Sequence, residues 1–192
     1  MLFDHKPKPA APQQDLANLK VTDARVGDVL SVVGAAADFS DLDFTVDRGD
    51  QLEAGSRRWV ELSGSWRDKR VYLEVHNEET AEVYGNFDGR RITLDELGLS
   101  EDDLGQIDAR QNPADFLDYE GKFWMYRFSR EMGAFSQTNT ALSNIGRGFY
   151  AWQFQEEGGK RFLNVRKYEG EPFFAIVWTK IEPTDVTVYR SK

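Results

Sequence analysis

Short segments in which apolar and polar residues alternate recur along most of the chain, and they constrain its fold more than any other feature. In residues 69–75, for example, the apolar side chains, with Leu73 and Val75 among them, fall on one side of an extended chain. Side chains alternate across a β-strand, so this period of two predicts strands. The same pattern predicts strands at residues 57–62, 81–87, 90–93, 116–119, 122–130, 148–156, 161–167, 172–180 and 185–190. We therefore expect a mainly β protein with an antiparallel barrel-like or sandwich architecture.

Turn residues separate the predicted strands. Residues 63–69, which contain Ser-Gly-Ser and Arg-Asp-Lys, are expected to form the loop of a hairpin. The dipeptide Asp88-Gly89 predicts a tight turn between the strands at residues 81–87 and 90–93.

A short helical connection is predicted between two β-rich halves. Thr93 and Ser100 each stand three residues before an acid, as helix-capping residues do. Gly98 and Gly105 are expected to end the two helices early. The predicted organisation is a flexible tail, a first β-rich half, the helical connection and a second β-rich half, at residues 1–14, 15–93, 94–114 and 115–192. The halves are expected to pack as one domain.

The two halves resemble each other, which suggests an internal repeat. Residues 59–62 and 70–75 align with residues 150–154 and 160–165, each as an aromatic-led strand, a polar loop and a second strand. The alternative is that any two antiparallel meanders look similar at this level of comparison. The predicted core residues of the alignment are Leu73 and Val75 in the first half and Leu163 and Val165 in the second.

Composition excludes several classes of function. The 192 residues carry 24 Lys and Arg against 33 Asp and Glu, a net charge of −9, which excludes a nucleic-acid binder that works by neutralising phosphates. The absence of cysteine excludes thiol nucleophiles and thiolate metal sites. His5 and His76 are the two histidines; a catalytic triad is not expected, and a surface turn after His76 is favoured over a metal site. We predict no catalytic residues, no metal and no cofactor, and a non-enzyme is the favoured interpretation.

The beginning of the chain predicts its location. Residues 1–14 contain three prolines and no apolar run, so we expect a dispensable tail rather than a targeting peptide, with Asp15 able to cap a short helix after it. The longest apolar stretch nearby, residues 29–37, is far shorter than the roughly 20 residues needed to cross a bilayer. We expect a cytoplasmic protein without direct membrane insertion.

An aromatic and acidic strand face is the first candidate site. Trp59 and Glu61 share one side of their strand, and if the next strand pairs with it, Tyr72 and Glu74 join the same patch. A ring face beside a carboxylate could hold a cation. In the structural interpretation, Trp59 fills the core and Glu61 pairs with an arginine nearby in sequence: Arg58, Arg67 or Arg70.

A polar loop is the second candidate site. Residues 137–148 are the longest polar, glycine-containing stretch between predicted strands, and Asn139, Asn144 and Arg147 are its candidate binding residues. Binding residues often lie on loops that a rigid scaffold positions. The alternative is a flexible loop without a function.

The sequence resembles a bacterial family known as domain of unknown function 4178, over about residues 26–188. The resemblance is carried by Arg58-Trp-Val-Glu-Leu62, by Val71-Tyr-Leu-Glu74 and, more loosely, by Phe162-Leu-Asn-Val165. Near Asn164 and Arg166, where the family commonly has an acid, this chain departs from the pattern. The resemblance implies no established activity, but it implies a genomic association with membrane-stress proteins of the phage-shock type and with polyamine-synthase-like proteins.

Two functions follow from these expectations. The favoured one is a non-catalytic acidic interaction or adaptor module that binds a protein partner, in a bacterial membrane-stress or envelope-maintenance system, because reactive side chains are scarce and strand edges are plentiful. The alternative is a small-ligand binding protein or weak enzyme that takes a cationic, polyamine-like ligand on the aromatic and acidic face, with Glu61 and Glu74 as anchors.

Overall fold

A computed structural model describes residues 19–138 and 146–190 and is mainly β, as the alternation predicts. The predicted tail and the helix after Asp15 lie outside these residues. The strands are β1 (Val29–Val32), β2 (Leu42–Thr45), β3 (Arg48–Ala54), β4 (Arg57–Trp66), β5 (Lys69–Asn77), β6 (Ala81–Asn86), β7 (Phe116–Tyr119), β8 (Lys122–Thr138), β9 (Arg147–Glu156), β10 (Arg161–Tyr168), β11 (Phe174–Ile181) and β12 (Val186–Tyr189). The helical elements described are α1 (Glu101–Arg110) and two short 3-10 helices at Val21–Asp23 and Pro183–Asp185.

Eight of these strands close into an antiparallel barrel. The order around the barrel is β3-β4-β5-β6-β11-β10-β9-β8, and the last part of β8 pairs back with β3. β7 pairs with the first part of β8 as an added ninth strand. The barrel therefore consists of two four-stranded meanders, β3–β6 and β8–β11, joined edge to edge. Both predicted halves contribute to one closed sheet.

Each meander is covered on its outer face by a separate apolar core. A three-stranded sheet, β12-β1-β2, covers the first meander, where Leu73 and Val75 are buried. Helix α1 and β7 cover the second meander, where Leu163 and Val165 are buried. The four predicted core residues are confirmed, since none is more than 5% exposed.

The predicted hairpin loop at residues 63–69 is wrong in extent. β4 continues through Ser63 and Gly64, and the turn contains only Arg67 and Asp68. The glycine is needed for a close approach between sheets, because a Cβ on Gly64 would lie 2.1 Å from the backbone oxygen of Thr45 in β2. A glycine that marks such an approach looks the same in sequence as one that marks a turn.

Helix α1 begins where it was predicted but ends later. The Ser100 Oγ accepts a hydrogen bond from the Asp103 backbone N–H (3.2 Å), as the capping pattern predicts. Gly105 lies inside the helix, because Leu104 and Ile107 are buried against the second meander and outweigh a glycine cost of about 1 kcal/mol. No helix in residues 19–138 or 146–190 is long and apolar enough to cross a membrane.

Residues 90–93 do not form the predicted strand. Ile92 makes a single bridge to Ala175 in β11. Further along β11, the Val177 backbone oxygen accepts a hydrogen bond from the Asn86 side chain, whose Nδ2 donates at 2.9 Å. The helix predicted after Thr93 is likewise only a turn, in which the Thr93 backbone N–H donates to the Glu96 side chain at 2.8 Å.

Strands β2 and β3 are not among the predicted strands, although β2 does alternate, with Leu42 and Phe44 buried. In β3, Arg48 and Asp50 occupy positions where an alternating pattern would need apolar residues, and the Arg48 Nε donates to the Asp50 carboxylate at 3.0 Å. The pattern fails here because this strand turns polar side chains toward the barrel interior, which is the feature that defines the site.

Candidate functional site

The inner face of β4 and β5 carries the predicted aromatic and acidic patch. The register places Trp59 directly opposite His76 and Glu61 directly opposite Glu74, with Tyr72 one pair further along. The predicted four residues therefore share one face, and that face lines the barrel interior. The Trp59 and His76 rings stack, with centroids 5.1 Å apart.

A buried arginine from the other half of the chain neutralises this patch. Arg166 on β10 donates from one guanidinium nitrogen to Glu61 at 2.8 Å and from another to Glu74 at 2.9 Å. The side chains of the three residues are at most 7% exposed. The predicted partners of Glu61 were wrong: Arg58, Arg67 and Arg70 pair with Glu53, Asp38 and Asp47.

The charges of this buried group do not balance, because two carboxylates share one guanidinium. Burial raises the pKa of Glu61, and the Glu74 carboxylate opposite raises it further, while Arg166 opposes the shift. Burial alone would lower the pKa of Arg166, but the two carboxylates outweigh it and raise that pKa. The His76 Nε2 lies 3.3 Å from the second oxygen of Glu74. At high pH the group formed by Glu61, Glu74 and Arg166 therefore carries one net negative charge.

A cavity of about 180 Å³ lies beside this group, at the end of the barrel that carries Arg57 and Glu82. Glu74, Arg166 and Asn164 form its polar wall. Glu61 and Tyr72 share the inner face but do not line the cavity. Its aromatic wall consists of Trp59, His76, Tyr84, Phe128, Phe162 and Trp178.

Three buried polar atoms, each on a residue that lines the cavity, have no hydrogen-bond partner. They are the indole Nε1 of Trp59, the indole Nε1 of Trp178 and the side-chain oxygen of Asn164. One other buried side-chain atom of the described residues shares this property, the hydroxyl of Tyr119 near α1. Buried polar groups are seldom left unpaired. Three of them on residues that line one cavity make this end of the barrel the candidate site.

A β-bulge in β8 turns further side chains into the cavity. Tyr126 faces Phe154 on the outer side, and the register then shifts so that Phe128 is opposite Gln153, which lines the cavity. The extra residue reverses which side chains face inward, and Phe128 and Arg130 both line the cavity as a result. Bulges often re-aim side chains next to functional sites.

Of the three predicted loop residues, the structure describes Arg147. Asn139 and Asn144 lie outside the described residues. Arg147 begins β9, away from the cavity wall, where it pairs with Glu171 at 2.5 Å and lies over the Tyr168 ring. No group of three His, Asp or Glu side chains that could hold a metal occurs in residues 19–138 or 146–190. The site therefore consists of side chains from the barrel interior.

The sequence reasoning missed Arg166, Asn164, Trp178 and Arg130. A signal existed for the first two, because polar residues alternate with Leu163 and Val165 on β10. The proposed repeat also aligned Asn164 with Glu74, which lies on the inner face. Arg130 carried no signal, since the bulge that places it is invisible in the alternation.

Comparisons of this chain with protein-family models, with curated proteins and with solved structures find no match. The resemblance to domain of unknown function 4178 stays a prediction.

Proposed function

We propose that this protein binds a small molecule inside the barrel, with one flat ring between the aromatic walls. The observation that carries the proposal is the set of three unpaired polar atoms, from Trp59, Asn164 and Trp178, around one cavity. Each unpaired buried group costs about 1 to 3 kcal/mol of stability. A protein that keeps three of them at one place gains from a partner that pairs with them.

The size of the cavity supports a one-ring ligand. An engineered apolar cavity of about 150 Å³ holds a benzene molecule, and the cavity here measures about 180 Å³. The difference leaves room for one small substituent. The aromatic wall gives a flat ring favourable stacking and edge contacts.

The unpaired atoms define the polar groups of the ligand. The two indole N–H groups of Trp59 and Trp178 are donors, so the ligand needs acceptor oxygen or nitrogen atoms. The side-chain oxygen of Asn164 is an acceptor, so the ligand also needs a donor. A carboxamide carries both and matches this set.

The geometry favours a one-ring ligand with a carboxamide over a cationic polyamine. Glu61 and Glu74 already bind Arg166 at 2.8 and 2.9 Å, so a cationic ligand would compete with a guanidinium for them. Binding of a protein partner and a role in membrane stress stay predictions, because no contact described above bears on them.

Isothermal titration calorimetry with benzamide tests the proposal. We expect a Kd of about 1 mM, which is about −4 kcal/mol or roughly 0.5 kcal/mol per non-hydrogen atom and lies within the range of small ligands. Ala151→Leu places a larger side chain in the cavity wall and should weaken binding at least tenfold. Ala37→Leu, on an exposed loop, is the matched control and should not change it.

Two results would overturn the proposal: no heat of binding with the wild type, as expected if the cavity holds only water, or equal binding by Ala151→Leu. Circular dichroism verifies that the variant is folded, and Asn164→Leu provides a second test if it is not. A titration with spermidine tests the alternative, a cationic ligand. Binding of spermidine that persists in about 0.3 M salt, without binding of benzamide, would favour the cationic ligand.

A further inference from the structure

Arg130 stands out among the cations around the cavity. Its guanidinium lies over the Phe128 ring, 4.2 Å from the centroid, and it lines the cavity. Within the part of the chain that the structure describes, no Asp or Glu oxygen lies within 4 Å of it. An unpaired arginine at the wall of a cavity is unexpected in a chain with a net charge of −9.

The other cations of the cavity and its rim are already paired. The Arg57 guanidinium binds Glu78 at 2.7 Å, and the Lys180 ammonium binds Glu82 at 2.5 Å. Arg166 is shared between two glutamates. Arg130 is thus the cationic group of the cavity that remains available to a ligand.

The placement of Arg130 is a consequence of the bulge in β8. Without the register shift after Tyr126, the inward and outward positions of β8 would be exchanged, and Arg130 would face the outer core around α1. Phe128, two residues earlier on the same face, supports the guanidinium plane from one side. This leaves the edge with the N–H groups free to donate, and a planar guanidinium matches the two oxygens of a carboxylate.

We infer that the ligand carries one carboxylate, bound by Arg130, in addition to the group that pairs with Asn164. The inference rests on the proposed function, since it names the charge of the molecule in the same cavity. The ligand class is then an aromatic monocarboxylate with a carboxamide-like group. A single arginine balances one negative charge, which favours a carboxylate over a phosphate dianion. The protein's net negative charge repels anions at long range, so selectivity depends on this local contact.

Three ring compounds of similar size test the inference: benzamide, 4-carboxybenzamide and 4-(aminomethyl)benzamide. The wild type should bind the carboxylate at least tenfold more tightly than benzamide, as expected for a hydrogen bond to a charged group. The aminomethyl compound should bind more weakly than benzamide. In Arg130→Gln the preference for 4-carboxybenzamide over benzamide should disappear.

Arg127→Gln is the matched control. It removes the same charge from the same strand, but Arg127 is exposed, donates to Gln155 at 2.9 Å and does not line the cavity. It should keep the carboxylate preference. Equal binding of benzamide and 4-carboxybenzamide, tighter binding of the amine, or an unchanged preference in Arg130→Gln would overturn the inference while leaving the proposed function intact. Absence of binding by all three compounds would overturn both, and tighter binding of phenyl phosphate than of 4-carboxybenzamide would overturn the choice of carboxylate.

Discussion

The two meanders of the barrel have similar outer faces and different inner faces. On the outside, Leu73 in the first meander and Leu163 in the second are each fully buried in an apolar core. On the inside, Glu61 stands opposite Glu74 in the first meander, whereas Gln153 stands opposite Asn164 at the corresponding place in the second. One meander therefore holds an acid pair where the other holds an amide pair.

This difference separates what builds the barrel from what gives it chemistry. The repeated apolar outer faces would support a barrel whichever polar residues lay inside. The unequal inner faces let Arg166 of the second meander bind both acids of the first. The amide side has no such partner, and the side-chain oxygen of Asn164 is unpaired. The internal repeat of the two halves stays a prediction.

Removal of the arginine that joins the two inner faces should have the largest effect. Arg166→Met leaves Glu61 and Glu74 buried without a cation, and we expect a loss of about 3 to 5 kcal/mol in the free energy of unfolding measured in urea. Arg90→Met is the matched control, because Arg90 also bridges two glutamates, Glu96 and Glu120, but on the surface. It should cost much less than Arg166→Met, because solvent screens exposed ion pairs. Similar losses in the two variants would contradict the buried-charge account.

The outer faces should respond equally to truncation. Leu73→Ala and Leu163→Ala each open a cavity in a fully buried site, and each should cost about 2 to 5 kcal/mol in urea unfolding. The comparison of the meanders predicts losses that agree within about 1 kcal/mol. If one variant unfolds like the wild type, the two outer cores are not equivalent.

Two asparagines, Asn86 and Asn164, distinguish a structural amide from one that we propose binds the ligand. Asn86→Leu removes an amide that donates to Val177 O at 2.9 Å, and it should destabilise the protein by about 1 to 3 kcal/mol. Asn164→Leu removes an unpaired oxygen, so it should leave thermal stability unchanged or raised while it weakens benzamide binding. Equal destabilisation by the two substitutions would mean that Asn164 has a structural partner.

The smallest predicted effect concerns the pH dependence of the acid pair. Burial raises the pKa of Glu61 above its ordinary value of 4.5, so the folded state holds this proton more tightly than the unfolded state. Stability is then lost as pH rises from about 4.5 through the raised pKa. Glu61→Gln removes this titration and keeps an acceptor for Arg166, which Glu74 still neutralises.

Relative to the wild type, Glu61→Gln should therefore gain on the order of 1 kcal/mol between low and neutral pH. This differs from the simple expectation that loss of Glu61 leaves an arginine unpaired. Urea unfolding at several pH values measures the difference in stability between Glu61→Gln and the wild type. Glu78→Gln, at an exposed position, is the control. A variant whose stability falls further below that of the wild type as pH rises would refute the assigned direction.

The fold was largely predictable from the sequence because its outer cores are apolar. Segments such as residues 69–75 alternate plainly, and Leu73, Val75, Leu163 and Val165 were identified as core from that pattern. The predictions fail where something other than local alternation determines the structure. Gly64 serves a contact between sheets, Gly105 is tolerated because its neighbours are buried, and β3 is polar on its inner side.

Half of the site was predictable. Trp59, Glu61, Tyr72 and Glu74 were placed on one face because their strands are adjacent in sequence. Arg166 lies 105 residues from Glu61, and only closure of the barrel brings the two together. The same holds for Arg130, whose inward position depends on a bulge. Contacts that form only when the barrel closes cannot be predicted from the alternation of apolar and polar residues within one strand.

The most direct test of the central claim uses the indole N–H resonances of the five tryptophans in a nitrogen-15 correlation spectrum, titrated with benzamide. The Trp59 and Trp178 indoles have no acceptor, whereas Trp124 and Trp152 donate to backbone oxygens at 3.2 and 3.1 Å and serve as internal controls. Substitution of each tryptophan by phenylalanine assigns the peaks. The account predicts that the Trp59 and Trp178 protons move downfield as they gain an acceptor, while the Trp124 and Trp152 protons stay in place. Saturable binding that leaves the Trp59 and Trp178 resonances unmoved would contradict it.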